Sequence, residues 1–204
     1  GEPDFDTPDH IKLAASEAMS AGMTKYTPVN GVSDLIDAII NKFHKENSLE
    51  YSNDEIAVTG GAKQAIFNAL LATLGEGDEV IIPAPYWPSY PEVVAFSGGT
   101  SVIVPTRLED RFRMTADQLE SAITDKTKWV LLNYPSNPTG ACYGADDLQA
   151  LIDVLVQYPG ILVMSDEIYE HLQYGSKFIS IASLAPKHMR ERVLIINGVS
   201  KAYA

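Results

Sequence analysis

Short apolar runs, rich in β-branched residues, alternate with longer amphipathic stretches along this chain. Strands are predicted at residues 56–59, 79–82, 129–132, 161–164 and 193–196. Apolar positions recur at helical spacing between most of these runs, which predicts helices over residues 9–21, 31–46, 61–73, 115–123 and 145–157. This alternation is typical of an α/β fold with a mostly parallel sheet and helices on both faces.

The residues that follow the predicted strands carry unusual chemistry. Ligands of an open α/β sheet bind beyond the carboxyl ends of its strands, so these positions are candidates for a site. They are Gly60-Gly61-Ala62-Lys63-Gln64, Asn137-Pro138-Thr139-Gly140, Ser165-Asp166-Glu167-Ile168-Tyr169 and Lys201. Amide groups at a helix start can hold a phosphate, and a lysine at the end of a buried strand can serve as a nucleophile toward an aldehyde.

Each of these features also has an ordinary structural interpretation. The Gly60-Gly61 pair could be only a tight turn, because its surroundings match neither the GxGxxG pattern nor the P-loop. Asn137-Pro138 could belong to a simple β-turn, and Trp87 could be a core aromatic residue. Asp166 and Glu167 could cap a segment. No histidine or further carboxylate lies near them at ligand spacing, so no metal site is expected.

Taken together, the features indicate a single ligand. A glycine turn, an aromatic side chain, an asparagine turn, an acid and a lysine are all expected on one rim of the sheet. A ligand that needs all these partners has a phosphate, a planar ring, a ring nitrogen and an aldehyde. Pyridoxal phosphate has these four groups.

Composition narrows the classes of partner and the compartment. The chain has 204 residues, 46% of them hydrophobic, as expected of a globular protein. Its formal net charge of −12 argues against nonspecific binding to nucleic acid and to anionic membranes. Cys142 is the single cysteine, so an internal disulfide is excluded. There is no apolar stretch of about 20 residues and no signal-peptide pattern, and a cytoplasmic location is expected.

The quoted motifs resemble those of the class I aminotransferases, which are fold-type I pyridoxal-phosphate enzymes, and are most similar to the bacterial enzymes that act on aspartate. The resemblance covers the whole chain. It includes Gly1 to Pro8, Tyr26-Thr27-Pro28, Pro85-Tyr86-Trp87 and Ser200-Lys201-Ala202-Tyr203, besides the strand-end motifs. It implies a seven-stranded type of sheet and makes residues 1–204 the large cofactor-binding domain of a longer enzyme. These residues alone are then expected to lack normal turnover.

The resemblance also implies roles for individual residues. Lys201 would form a Schiff base with the cofactor and then move the substrate proton as general base and acid. Asp166 would pair with the pyridine nitrogen, Trp87 would stack on the ring, and Tyr26 would reach the phosphate in the neighbouring subunit of a homodimer with shared sites. The implied cofactor-binding residues are Tyr26, Gly61, Ala62, Lys63, Trp87, Asn137, Asp166, Tyr169 and Lys201, and the implied substrate-binding residues are Gly1, Trp87 and Asn137.

The activity implied by the resemblance is amino transfer from L-aspartate to 2-oxoglutarate. Close alternatives keep the mechanism and use aromatic amino acids, prephenate or alanine. A lyase on the same scaffold would release pyruvate and ammonia instead of a new amino acid. A cofactor-binding sensor domain of a transcription regulator would need a basic DNA-binding segment, which this acidic chain does not have.

Overall fold

The computed structural model describes residues 2–175 and 177–204. The chain divides into two compact units. The first comprises the chain up to Gly61 together with Gly198–Ala204, and the second comprises Ala62–Asn197.

The first unit contains two helices and a short 3₁₀ turn. Helix α1 spans Asp9–Ser20 and α2 spans Ser33–Asn47, close to the predicted ranges, and the 3₁₀ turn is Asn53–Glu55. The prediction of a strand at residues 56–59 is wrong. The backbone there is extended at Ile56, but the N–H of Val58 donates to the Asn30 carbonyl, 2.9 Å away in a loop. A strand also needs a ladder of such bonds, and none is formed by these residues in the part of the chain that the structure describes.

The second unit is built on a five-stranded parallel sheet. The strands are β1 (Glu79–Ala84), β2 (Thr100–Pro105), β3 (Thr127–Asn133), β4 (Leu162–Asp166) and β5 (Val193–Ile196). Their order is β2-β1-β3-β4-β5, and every neighbouring pair is parallel. The helices are α3 (Ala62–Thr73), α4 (Ser89–Phe96), α5 (Ala116–Ala122), α6 (Ala145–Leu155), α7 (Ile181–Leu184) and α8 (Lys187–Arg190).

Alternation along the strands divides the core into two layers. On β3, Val130 and Leu132 pack in one buried cluster with residues of α5 and α6, whereas Trp129 and Leu131 pack in another with residues of α3 and α4. Neighbouring side chains of a strand point to opposite faces, which is why both faces of the sheet need a helical cover. The prediction of a mostly parallel sheet with helices on both faces is confirmed.

Among the described residues of the second unit, β2, α4 and the two four-residue helices α7 and α8 were not predicted. Strand β2 lies at an edge of the sheet and is only partly buried, and its apolar run is limited to Val102-Ile103-Val104. Helix α4 contains a proline in its first turn and has a weak amphipathic pattern. Strand β2 and helix α4 contribute to placing the carboxyl end of β1 and the loop that follows it.

None of the described helices is long and apolar enough to cross a membrane.

Candidate active site

Asp166 is the last residue of β4 and lies in the middle of the site. It pairs in register with Asn133 at the end of β3 and with Ile196 at the end of β5. Its side chain is buried, since the residue is 4% exposed. The hydroxyl of Tyr90 donates a hydrogen bond to Oδ2 over 2.6 Å, and the N–H of Ile168 donates to Oδ1 over 3.3 Å. Each carboxylate oxygen therefore has a donor from the protein.

The surroundings of Asp166 act on its pKa in opposite directions. Burial raises the pKa of this carboxyl, because the low-polarity interior disfavours its charge, and the hydrogen bonds from Tyr90 and Ile168 lower the pKa in part. A buried carboxylate with two donors and no protein cation among them is suited to a cationic partner from a ligand. Perturbed carboxyl groups of this kind are concentrated at functional sites.

Asn133 joins Asp166 to the asparagine turn. Its side-chain amide donates to the carbonyl oxygen of Asp166 over 3.0 Å, and its side-chain oxygen accepts from the N–H of Asn137 over 2.7 Å. The turn is closed by a 2.8 Å bond from the N–H of Gly140 to the carbonyl of Ser136. The Asn137 side chain is in turn hydrogen-bonded to Tyr169. This arrangement holds two polar side chains beside Asp166.

Tyr169 is half-buried three residues after Asp166. Burial raises the pKa of its hydroxyl, the negative charge of Asp166 raises it further, and the hydrogen bond with Asn137 opposes both effects. The hydroxyl therefore keeps its proton at neutral pH. It can donate a hydrogen bond to an anionic ligand oxygen.

An aromatic and a cationic side chain complete the site in the second unit. The ring of Trp87 meets the ring of Tyr90 edge-on, with centroids 5.3 Å apart and an interplanar angle of 88°. The Nζ atom of Lys63 lies 4.9 Å from the centroid of the Trp87 ring. Lys63 and Ala62 are the first two residues of α3, where free amide groups and the helix dipole favour an anion.

Several predicted residues of the second unit are thus linked through their neighbours. Ring contacts and one hydrogen bond connect Lys63, Trp87, Tyr90 and Asp166 in that order. On the other side, Asn133 bonds both Asp166 and Asn137, and Asn137 is hydrogen-bonded to Tyr169. Side chains from the loops after β1, β3 and β4 therefore meet at one edge of the sheet, as the sequence predicts.

Three further predicted residues belong to the first unit, and one lies outside the described residues. Tyr26 is fully exposed in that unit. Gly61 has a φ of +104°, a backbone conformation that favours glycine. Lys201 is half-buried in a turn closed by a 2.9 Å bond from the N–H of Tyr203 to the carbonyl of Val199. Gly1, predicted to contact substrate, lies outside the described residues.

Sequence reasoning missed Tyr90 and Asn133. Tyr90 lies three residues after Trp87 in an aromatic run for which a core position is the ordinary interpretation, and the residue is indeed buried in the core. Its hydroxyl, however, reaches Asp166. Asn133 could have been found from the sequence, because a polar residue at the carboxyl end of a buried strand is a candidate for ligand binding.

Comparison with known proteins places the chain in a family. The family model of aminotransferase class I and II matches residues 1–204. The chain belongs to this family. Class I aminotransferases depend on pyridoxal phosphate, which is the cofactor that the strand-end motifs predict.

Individual class I aminotransferases match the whole chain. A probable aspartate/prephenate aminotransferase from Rhizobium leguminosarum is 55% identical over 100% of this chain and 51% of its own length. The crystal structure of the aspartate aminotransferase from Rhizobium meliloti superposes with a TM-score of 0.97 at 50% identity, over 100% of this chain and 51% of that one. An aromatic aminotransferase from Pyrococcus horikoshii gives 0.95 at 44% identity, over 100% and 54% of the two chains. The chain spans about half the length of the curated relatives it matches.

Proposed function

We propose that this chain is the large, cofactor-binding domain of a pyridoxal-phosphate-dependent aspartate aminotransferase. The observation that carries the proposal is the buried Asp166 carboxylate, hydrogen-bonded by Tyr90 and linked through contacts to Tyr169, Asn137 and Trp87. Such a carboxylate suits a protonated ring nitrogen, and the flanking groups suit the other parts of the cofactor. The names of the relatives at 50–55% identity support the choice of aspartate.

The residues present fit the cofactor group by group. The amides of Gly61 and Ala62, with the Lys63 side chain, would hold the phosphate at the start of α3. Trp87 would stack on the ring. Asp166 has both oxygens anchored by donors, so its charge is held in place for the ring nitrogen. These groups match the ligand because they offer a buried anion for the ring nitrogen, amides and a lysine for the phosphate, and an aromatic face for the ring.

When bound, pyridoxal phosphate supplies an electron sink that makes the α-proton of an amino acid acidic. Asp166 would hold a proton on the ring nitrogen. Tyr169, with its pKa raised by burial, would donate a hydrogen bond to the phenolic oxygen, and Asn137 would bind the same oxygen and orient the substrate carboxylate. Lys201 would be the amine that attaches to the cofactor and then carries the proton away from the substrate α-carbon.

A half-reaction tests this proposal. The complete enzyme, loaded with pyridoxal phosphate and mixed with L-aspartate, is expected to form one oxaloacetate for each pyridoxamine phosphate produced. Addition of 2-oxoglutarate should restore the original absorbance spectrum and release glutamate. D-Aspartate is the matched control, and it should leave the spectrum unchanged. Release of pyruvate and ammonia would instead indicate a lyase and contradict the proposal.

Amination of prephenate is the second candidate function. The name of the Rhizobium leguminosarum relative, at 55% identity, includes prephenate beside aspartate. The same experiment distinguishes the two substrates, because the pyridoxamine form can be offered either 2-oxoglutarate or prephenate. Conversion by prephenate as well would give this protein both activities.

A homodimer with shared sites and a cytoplasmic location complete the proposal. An exposed apolar surface supports the dimer. In the first unit, α1 has no buried residue, and the segment after it leaves Met23 69% exposed, Tyr26 108% and Val29 102%. Three strongly exposed apolar side chains in one short segment favour an interaction surface. A second copy of the chain would cover it and bring Tyr26 to the phosphate of the neighbouring site.

Placing a charge on this surface is expected to separate the subunits. Met23→Glu in the complete enzyme would bury two carboxylates per dimer, and we expect the dissociation constant to rise at least about 100-fold. Sedimentation equilibrium measures this change. Ser121→Glu is the control, because it adds the same charge at an exposed polar position of α5. If the Met23→Glu variant stays as dimeric as the control, the surface is not the interface.

A further inference from the structure

We propose that Tyr90 is a positioning residue for the cofactor, whose hydroxyl holds the Asp166 carboxylate in the orientation and charge state that keep the proton on the pyridine nitrogen. The inference rests on the proposed function, because it concerns the group that Asp166 would bind. It assigns a role to a residue that the family motifs in this sequence do not include.

The position of Tyr90 is fixed from three directions. It is the second residue of α4, and the N–H of Tyr90 donates to the Trp87 carbonyl over 3.0 Å. Its ring is 2% exposed in the cluster that contains Leu131 and Met164, and it makes the edge-on contact with Trp87. The hydroxyl therefore has little freedom to move. It points at Asp166 Oδ2 at a distance of 2.6 Å, which is short for a hydrogen bond between oxygen atoms.

Tyr90 is the donor of this bond. Burial and the negative charge of Asp166 raise the pKa of the Tyr90 hydroxyl, so the proton stays on the tyrosine. A hydrogen bond donated to a charged group is among the strong ones. It makes the carboxylate a weaker base than a buried carboxylate without that donor would be. A proton shared between Asp166 and a ring nitrogen is then shifted toward the nitrogen.

The bond also sets the orientation of the carboxylate. Oδ2 is held by Tyr90, and Oδ1 is held by the N–H of Ile168. With both oxygens anchored, the carboxyl plane cannot rotate freely, and the remaining lone pairs point in fixed directions. Phenylalanine would fill nearly the same space in the core. A role in packing alone therefore does not need the hydroxyl, whereas the role proposed here does.

The experiment compares Tyr90→Phe with Tyr143→Phe in the complete enzyme. Tyr143 is the matched control: it is also a buried tyrosine, but its hydroxyl accepts a 2.9 Å hydrogen bond from the N–H of Met114 and lies in the cluster on the other face of the sheet. Both variants are loaded with pyridoxal phosphate labelled with ¹⁵N in the ring. The ¹⁵N chemical shift reports protonation of the nitrogen, and dialysis gives the dissociation constant of the cofactor.

We expect the wild-type enzyme and Tyr143→Phe to show a protonated ring nitrogen. In Tyr90→Phe, the signal should move toward that of a neutral pyridine, and the dissociation constant of the cofactor should rise about ten-fold. Incorporation of 3-fluorotyrosine at position 90 keeps the ring and makes the hydroxyl a stronger donor. The 3-fluorotyrosine enzyme should retain the protonated ¹⁵N signal and the wild-type affinity for the cofactor. If the effect of Tyr90→Phe came from altered packing, the added fluorine atom would be expected to disturb both quantities as well.

The outcomes separate this inference from the proposed function. If Tyr90→Phe has the wild-type ¹⁵N shift and cofactor affinity, Tyr90 only fills the core and the inference is overturned, while the proposed function stands. If wild-type enzyme fails to bind the cofactor or shows a neutral nitrogen, the assignment of Asp166 is wrong and both fail. Melting temperatures of the cofactor-free proteins show whether either variant has lost its fold. If the Tyr90→Phe protein is unfolded while the protein with 3-fluorotyrosine at position 90 is folded, the hydroxyl has a structural role and the inference is overturned.

Discussion

Replacing Lys201 by alanine in the complete enzyme is expected to lower the aminotransferase activity by a factor of at least about 10⁴. Two functions would be lost together, because the same amine is proposed to attach the cofactor and to move the substrate proton. The methyl group of alanine can do neither. The phosphate and ring contacts of the second unit would remain, so the cofactor should still bind noncovalently.

Absorbance spectroscopy and single-turnover kinetics measure this effect. The variant should lack the absorbance band of lysine-bound cofactor and should not release oxaloacetate from L-aspartate on the timescale of the wild-type reaction. Lys187→Ala is the control, because Lys187 is exposed on α8 in the second unit. A Lys201→Ala enzyme that keeps the band, or that turns over within ten-fold of wild type, would show that another amine does this chemistry.

Replacing Asp166 by asparagine is expected to slow the half-reaction with L-aspartate by roughly 10²–10⁴-fold. Asparagine has nearly the same shape, but it is neutral and cannot stabilise a proton on the ring nitrogen. Removing one partner of a buried charge pair costs about 3–5 kcal/mol, and each 1.4 kcal/mol corresponds to a factor of ten. The loss should appear mainly in the rate of proton removal, because the phosphate and stacking contacts that bind the cofactor are unchanged.

A chemically altered cofactor makes this test specific. Pyridoxal phosphate methylated on the ring nitrogen carries a permanent positive charge and needs no carboxylate to maintain it. It should therefore restore part of the activity of the Asp166→Asn enzyme. Asp117→Asn is the control, because it makes the same exchange at an exposed position in the first turn of α5. Asp166→Asn activity within three-fold of wild type would contradict the role given to this residue.

Much of the fold is predictable because local patterns agree with tertiary structure. Strand β3 is buried on both faces, and the continuous apolar run from Trp129 to Leu132 predicts it. Helices α2 and α6 have one apolar side each, and their predicted ranges are within two residues of the observed ones. In these segments, the burial that stabilises an element requires the same residue spacing that identifies it.

Local sequence patterns do not predict an element correctly where its backbone hydrogen-bond partners, which are distant in the chain, decide the structure. Residues 56–59 have the composition of a strand, but their backbone pairs with a loop residue and not with the sheet. Strand β2 is the opposite case: its apolar run of three residues did not lead to the prediction of a strand, and its hydrogen bonds to β1 make it one. The strand order β2-β1-β3-β4-β5 is likewise set by long-range pairing. Spacing along the chain carries no information on which backbone groups will meet.

The same division holds for the site. By itself, the sequence determined the kind of chemistry, because an acid, an amine, an aromatic ring and a glycine turn at strand ends are the partners of one ligand. The tertiary structure decided the environment of the acid: Tyr90 and Asp166 are 76 positions apart, and only the packing of α4 against the sheet brings the hydroxyl to 2.6 Å from the carboxylate. The charge and basicity of a buried group depend on the atoms within a few ångströms of it, and those atoms come from distant parts of the chain.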